Sequence, residues 1–187
     1  MAWNYWNEDI SLSNKTSKMT YDILVWNNIL GITNKYNIKG ENWKVHDDDK
    51  YFWIDWYIEV NNSEYSFQEK IRRYNFFKYH DFTLEYYSNV ETQEEWEYFH
   101  LKAIYYIHWF LNETWDMIKE LRIIRIDKMF NLLNTNKEYY FSNIKQNNAH
   151  SKANFIPIPL KDLDSVGATV ILLKNNWDNT FSQFTKF

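Results

Sequence analysis

Hydrophobic and polar positions alternate most sharply between Tyr51 and Arg73, in the run YFWIDWYIEVNNSEYSFQEKIRR. On its first arm Phe52, Ile54, Trp56, Ile58 and Val60 take every second place, with Tyr51, Trp53, Asp55, Tyr57 and Glu59 between them. That is the two-residue period of a strand with one packed face. The second arm sets Ser66, Gln68, Lys70 and Arg72 on one face and Tyr65, Phe67, Glu69 and Ile71 on the other. Asn61-Asn62 between the arms suits a tight turn, because Asn tolerates positive φ. With a two-residue loop Asp55 stands opposite Gln68, and Lys70 follows one pleat along the same face. A four-residue loop pairs Asp55 with Lys70 and keeps the three on one surface. An odd loop or a bulge would exchange the faces and bring Glu69 opposite Asp55.

The rest of the chain mixes helical and strand periods. An N-cap at Ser17 or Thr20 opens a helix to Leu30, with Met19, Ile23, Trp26 and Leu30 as its apolar stripe and Gly31 at its end. Thr33 to Lys50 reads as a polar loop, and Asp81 to Ser88 as a third strand. Thr92 and Glu95 form a capping box, opening a helix with Trp96, Phe99, Ala103 and Ile107 on one face; its period permits continuation to Leu111. Leu121 to Ile126 reads as a strand, followed by a short helix to Leu133 capped by Asp127, with Arg122 and Arg125 as surface charges. Residues 134–154, rich in Asn and Lys, read as loop. Pro157 and Pro159 confine the next segment to a sheet edge, and Ala168 to Leu173, apolar but for Thr169, reads as a buried strand.

This pattern predicts an α/β protein with a mixed central β-sheet flanked by helices. Its 187 residues fit a single domain. Within 1–187, residues 1–50 form an N-terminal arm and helix, 51–133 the core, and 134–187 a loop and C-terminal strands.

An Asp, a carbonyl-bearing side chain and a Lys on one strand surface are a set of tools for phosphate chemistry. Mg²⁺ or Mn²⁺ takes oxygen ligands and needs only one or two carboxylates when a substrate phosphate supplies others. A lysine adds a compact positive charge. The same residues also suit the solvated side of an ordinary hairpin.

The run Ile54-Asp55, then Phe67-Gln68-Glu69-Lys70-Ile71-Arg72, then Asp81-Phe82-Thr83 resembles the core of the PD-(D/E)XK nuclease superfamily. It is similar above all to a phage and bacterial branch in which Gln replaces the second acid. Glu97 ahead of His100-Leu101-Lys102-Ala103, the Phe155-Ile156-Pro157-Ile158 strand and the apolar run from Ala168 to Leu173 echo that branch further along. The resemblance implies a restriction-endonuclease-like core and Mg²⁺- or Mn²⁺-dependent hydrolysis of DNA phosphodiester bonds. Asp55 would be the principal metal ligand, Gln68 a second, and Lys70 would orient or activate water. It makes Glu69 the reserve ligand in a bulged register and gives Arg72 and Lys102 to phosphate. The first helix of the superfamily often donates an acid, which makes Asp22, Glu8 and Asp9 candidates. It also places the end of the helix near Lys102 and a strand at Ile104 to Phe110. Double-strand cleavage needs two such sites, so a homodimer is implied. Two departures bear on activity: Gln68 removes one negative charge, and Glu85 stands where the branch often has Arg.

Composition narrows these readings. Aromatic residues make up 20% of the chain, with Trp 10, Tyr 15 and Phe 13, and imply an aromatic core with wet edges. The net charge of −4 argues against a general nucleic-acid coat, but Lys70, Arg72, Arg73 and Lys78 form a local basic run. The acidic runs Asp47–Asp49 and Glu91–Glu97 read as solvated loop or helix start. No cysteine is present, which excludes disulfides and thiolate zinc sites, and three glycines leave no phosphate-cradling loop. The five histidines show no metal-ligand spacing; His80, beside Asp81, is the one to test. The N-terminus lacks a basic region followed by an apolar core, and no apolar run reaches bilayer length, so the expectation is a soluble, cytoplasmic protein. The main alternative to an enzyme is an inactive nuclease-fold protein that binds DNA or a protein partner.

Overall fold

The computed structural model describes residues 19–20, 22–24, 52–60, 63–114, 117–147, 152–174 and 185–186. The chain divides into two compact units, Met1–Ile38 with Ile58–Glu64, and Lys39–Tyr57 with Tyr65–Phe187. In the first unit Met19, Thr20 and Asp22 to Leu24 are helical, with Thr20, Ile23 and Leu24 buried. The remainder of the expected first helix, the loop before the hairpin, Glu8 and Asp9 lie outside the described residues.

The described residues form two sheets. The larger, six-stranded sheet runs β1 (Trp56–Val60), β2 (Ser63–Arg72), β5 (Tyr105–Leu111), β6 (Ile118–Arg125), β9 (Thr169–Lys174), β10 (Thr185–Lys186). It is mixed, since β2 and β5 are parallel while β5–β6, β6–β9 and β9–β10 are antiparallel. The smaller sheet runs β4 (Glu94–Glu95), β3 (Asp81–Asn89), β8 (Asn154–Pro159), β7 (Lys145–Gln146), and its pairings are antiparallel. Among the described residues from Trp56 on, four short α-helices accompany the sheets: α1 (Glu97–His100), α2 (Ile126–Thr135), α3 (Lys137–Ser142) and α4 (Leu160–Ser165). The protein is thus mixed α/β with a mixed central sheet. Among the described residues, no helix is long and apolar enough to cross a membrane.

The parallel pair governs the layout of the larger unit. Parallel neighbours cannot be joined by a tight hairpin, so the chain between β2 and β5 must cross over one face of the sheet. That crossover is the 3₁₀ helix Tyr74–Tyr79, then β3, β4 and α1. Phe82 and Leu84 of β3, Ile156 and Ile158 of β8, and Tyr106, Phe110 and Ile124 of the large sheet share one buried core. Phe82 meets the Tyr106 ring edge-on at 4.7 Å. Helix α2 adds Ile126, Met129, Leu132 and Leu133 to that core, a spacing that places them along one stripe. Gly167, after α4, takes φ 62°, a left-handed turn that favours glycine, and its carbonyl accepts the Lys128 ammonium at 3.0 Å.

Several expectations need correction. The first arm is not a strand from Tyr51: Trp53 has φ 55°, and the ladder begins only at Trp56. The capping box at Thr92 does not form, because Glu94 and Glu95 pair with β3, and α1 lasts four residues before the chain re-extends as β5. Its period was helical, but Tyr105 to Leu111 finds a strand on each side and is buried on both faces. Asp127 lies inside the first turn of α2 and holds Arg125 instead of capping the helix. Residues 134–154 are not all loop, since they contain α3 and β7. Arg122 is no surface charge: it is 4% exposed, bonded to Glu120 at 2.7 Å and to Asp164. The third strand matches expectation, and β9 forms as a strand, buried at Thr169, Ile171 and Leu173 and half-buried at Val170 and Leu172. Pro157 and Pro159 fall in the half of β8 that β7 does not pair, where a missing N–H costs no ladder bond.

Candidate active site

Strand alternation gives β2 two chemically different faces. Gln68, Lys70 and Arg72 point to one side, and register sets them beside Tyr106, His108 and Phe110 of β5, respectively. Glu69 points to the other, where its carboxylate accepts the Trp109 indole N–H at 3.0 Å. The crossover lies over the Lys70 side. It carries Glu85 on β3 and Glu97 at the start of α1 onto that face, a convergence of residues far apart in sequence.

Lys70 is held between them, its ammonium 3.2 Å from Glu97 and 3.3 Å from Glu85. Burial on its own lowers a lysine pKa, but the two carboxylates outweigh it here, and the pKa of Lys70 is raised. Lys70 is therefore a fixed cation rather than a proton acceptor. Glu97 is 2% exposed and also accepts the Glu85 backbone N–H at 2.9 Å and the Tyr106 hydroxyl. Burial raises the Tyr106 pKa well above its ordinary value, and the negative charges of Glu97, Asp55 and Glu85 add to that. The phenol stays a donor.

Asp55 precedes β1 and is anchored from both ends. Its N–H donates to the Phe67 carbonyl at 2.9 Å, and its carboxylate accepts the Glu69 N–H at 2.6 Å. These bonds bracket Gln68; Asn61 and Asn62, and with them the loop length, lie outside the described residues. The Phe52–Asp55 segment is fixed against the crossover by the Lys102 N–H on the Phe52 carbonyl at 2.9 Å and by the Trp53 and Trp96 rings, 4.8 Å apart. Gln68 is 7% exposed, and its Oε1 is buried without a hydrogen-bond partner. A buried carbonyl oxygen left unpaired costs about 1–3 kcal/mol.

Arg72 braces β3. It donates to Thr83 Oγ1 at 2.7 Å, lies 3.8 Å from Asp81, and its guanidinium sits 4.5 Å over the Phe76 ring. The Asp81-Phe82-Thr83 run is thus tied to β2 through one side chain. Lys102 is exposed beyond α1, His80 is exposed, and Asp22 belongs to the other unit. His108, opposite Lys70, is 1% exposed, and neither ring nitrogen has a partner. Burial, with Arg72, Lys70 and Arg122 nearby, drives its pKa well below 6.5.

The face therefore gathers four carboxylates, Asp55, Asp81, Glu85 and Glu97, against two cations, Lys70 and Arg72, plus an orphaned amide oxygen. The excess is two negative charges. Among the described residues, no group of three or more His, Asp or Glu is arranged to hold a metal by itself. Asp55 and Gln68 contribute a carboxylate and an amide oxygen, the hard donor types that divalent cations such as Mg²⁺ prefer.

The chain matches no protein-family model, no curated protein and no solved structure in the comparisons made. The site stands on its own geometry.

Sequence reasoning singled out Asp55, Gln68 and Lys70 but did not place Glu85, Glu97 and Tyr106 around Lys70. Glu97 was read within an acidic, solvated run; its flanks Trp96, Tyr98 and Phe99 were the available signal, since an acid inside an aromatic run is poorly placed for water. Glu85 was read as a lost phosphate contact, whereas it pairs with Lys70. Nothing local marked Tyr106.

Proposed function

We propose that the protein is a metal-dependent DNA endonuclease of restriction type, hydrolysing phosphodiester bonds at the Lys70 face, on a core of the PD-(D/E)XK kind. The observation that carries this reading is the unpartnered, buried Gln68 oxygen bracketed by Asp55 and lying on the same strand face as Lys70. Buried charge clusters rarely serve stability best, and perturbed ionisable groups gather where chemistry is done. Asp55 and Gln68 would hold Mg²⁺ or Mn²⁺, which when bound supplies positive charge to the phosphoryl oxygens and acidifies the attacking water. Lys70 stays protonated and faces the negative charge that develops as water adds to phosphorus and the bond to the leaving oxygen breaks. Glu97 and Glu85 fix the position of that ammonium. Arg72 orients β3 and through it Glu85; Lys102 offers the phosphate backbone a solvent-facing charge. Cutting both strands of a duplex would take a homodimer, whereas an unpaired strand needs one site.

The test is cleavage of plasmid, linear duplex and single-stranded DNA with Mg²⁺ or Mn²⁺. Wild type should cut and Lys70→Met, verified as folded, should not; a folded wild type inert on every substrate sinks the proposal. A second reading, an inactive nuclease-fold binder of DNA or protein, is favoured by one observation: both carboxylates nearest Lys70 are already engaged with it. It requires that Asp55→Asn leave Mn²⁺ affinity unchanged.

A further inference from the structure

We propose that the turn after β2, Tyr74 to His80, is a stacking platform for unpaired nucleotides; this rests on the nuclease reading for the claim that the bound strand is also the substrate. The segment is a single 3₁₀ helix of six residues with no buried member and no acid in its first turn, and Lys78 closes its last turn. Phe76 is 38% and Tyr79 58% exposed, both large rings presented to water. Burial of such rings is the usual outcome, so two on one short turn need a partner or a reason.

Cations accompany the rings. Lys78 lies 5.0 Å from the Tyr79 ring centre, and Lys119 sits 4.6 Å from that of Tyr74 and 4.1 Å from that of Phe77. Arg73 precedes the turn. Two acids are close: Glu113, which accepts the Tyr74 hydroxyl, and Asp81, which follows His80 and is paired with Arg72 at 3.8 Å. Flat faces interleaved with positive charge are the arrangement that binds single strands: bases stack on the rings while the lysines track phosphates. A duplex cannot use them, because its base faces are already stacked. The turn is rigidly coupled to the candidate site. Phe76 carries the Arg72 guanidinium, Phe77 packs edge-on against Phe110 at 5.1 Å, and Lys70 is two residues before Arg72 on the same strand face. A strand laid on Phe76 and Tyr79 therefore runs close to the Lys70 face. The net charge of −4 fits this local platform rather than a general coat.

The experiment is fluorescence anisotropy of labelled dT₁₂, rU₁₂ and a 12-base-pair duplex with the full chain in EDTA, which separates binding from any cutting. Both single strands should bind more tightly than the duplex, and the two arms distinguish DNA from RNA as the source of the bases. Tyr79→Ala should weaken dT₁₂ binding about tenfold, Tyr79→Phe should retain it, and Lys78→Ala should lower the salt slope by about 0.7. Tyr79 is exposed, so a folded variant is expected, with circular dichroism as the check. Duplex binding as tight as single-strand binding, or Tyr79→Ala and Phe76→Ala proteins that bind like wild type, would overturn the platform. If strands bind through the rings but no substrate is ever cut, the nuclease reading fails and the platform stands. If Lys70-dependent cutting occurs without ring-dependent binding, the platform alone fails.

Discussion

Replacing Glu97 tests whether the cluster around Lys70 is one coupled unit. Glu97→Ala removes three interactions at once: the Lys70 ammonium at 3.2 Å, the Glu85 backbone N–H at 2.9 Å and the Tyr106 hydroxyl. Breaking a buried ion pair by deleting one partner costs about 3–5 kcal/mol. Lys70 keeps Glu85 at 3.3 Å and its side chain is 17% exposed, which moves the expectation to the lower end. Two orphaned donors add about 1 kcal/mol each, less whatever water recovers in the vacated space. The expected loss is about 4 kcal/mol, equivalent to roughly 10 °C in melting temperature at this chain length. Glu97→Gln keeps one carbonyl oxygen for the Glu85 N–H and the Lys70 ammonium but turns an amide NH₂ toward the Tyr106 hydroxyl, which must then accept instead of donate, so it should cost about 2 kcal/mol. Urea unfolding followed by tryptophan fluorescence measures both, and a cycle with Lys70→Met isolates the pair, whose coupling should exceed about 1 kcal/mol. A Glu97→Ala protein within about 1 kcal/mol of wild type, or additive effects with Lys70→Met, would refute the coupled cluster.

Three further outcomes follow from the same geometry. His108 is neutral when folded and titrates near 6.5 when unfolded, so its depressed pKa makes stability fall as pH drops below about 6.5, by up to roughly 1.4 kcal/mol per unit until its folded pKa is reached. Urea midpoints between pH 7.5 and 5 should show this slope, and His108→Leu, which also removes two unpartnered nitrogens, should flatten it; an unchanged slope rejects the assignment. Arg122→Met leaves Glu120, 2% exposed, without its 2.7 Å partner and should cost about 3 kcal/mol by denaturant unfolding; a loss below about 1 kcal/mol would return Arg122 to the surface role its sequence suggested. Gln68→Glu adds a charge where an amide oxygen has no partner, and should destabilise the metal-free protein by about 2 kcal/mol while strengthening Mn²⁺ binding at least tenfold by calorimetry. Equal Mn²⁺ affinity in the two proteins would exclude Gln68 as a ligand.

How far the sequence was legible depended on the range of the interactions that decide each element. The two-residue period of β2 survived intact because every residue from Ser63 to Arg72 obeys the strand rule, so the split between Lys70 and Glu69 was readable from spacing alone. The turn before β1 was not, because the positive φ of Trp53 is no property of tryptophan; it accompanies the contact of that ring with Trp96. The helical period around Trp96 to Ile107 misled for a related reason. A buried strand between two partners has apolar residues on both faces, and such a run satisfies a helical template as well as a strand template. Arg122 was misread because its acceptors Glu120 and Asp164 come from β6 and α4, and only the fold brings the second of them within reach.

The crossover explains how a glutamine at position 68 can be compatible with cation chemistry. In a pattern with two acids on the hairpin, the negative charge of the site is local to it. Here the hairpin supplies Asp55 alone to the Lys70 face, since Glu69 is turned to Trp109. The parallel pairing of β2 with β5 forces the intervening chain across that same face, and the chain delivers Glu85 and Glu97 there. The cluster keeps an excess of two negative charges without an acid at position 68. Those two carboxylates also hold Lys70 protonated, which limits it to electrostatic and positioning roles. On the proposed nuclease reading, a protonated Lys70 would leave proton abstraction to water or substrate phosphate, and activity should track the charge of residue 70 rather than its basicity. Lys70→Arg should accordingly retain a measurable fraction of cleavage where Lys70→Met retains none, and equal loss in both variants would show that the ammonium's geometry, not its charge, is what the site requires.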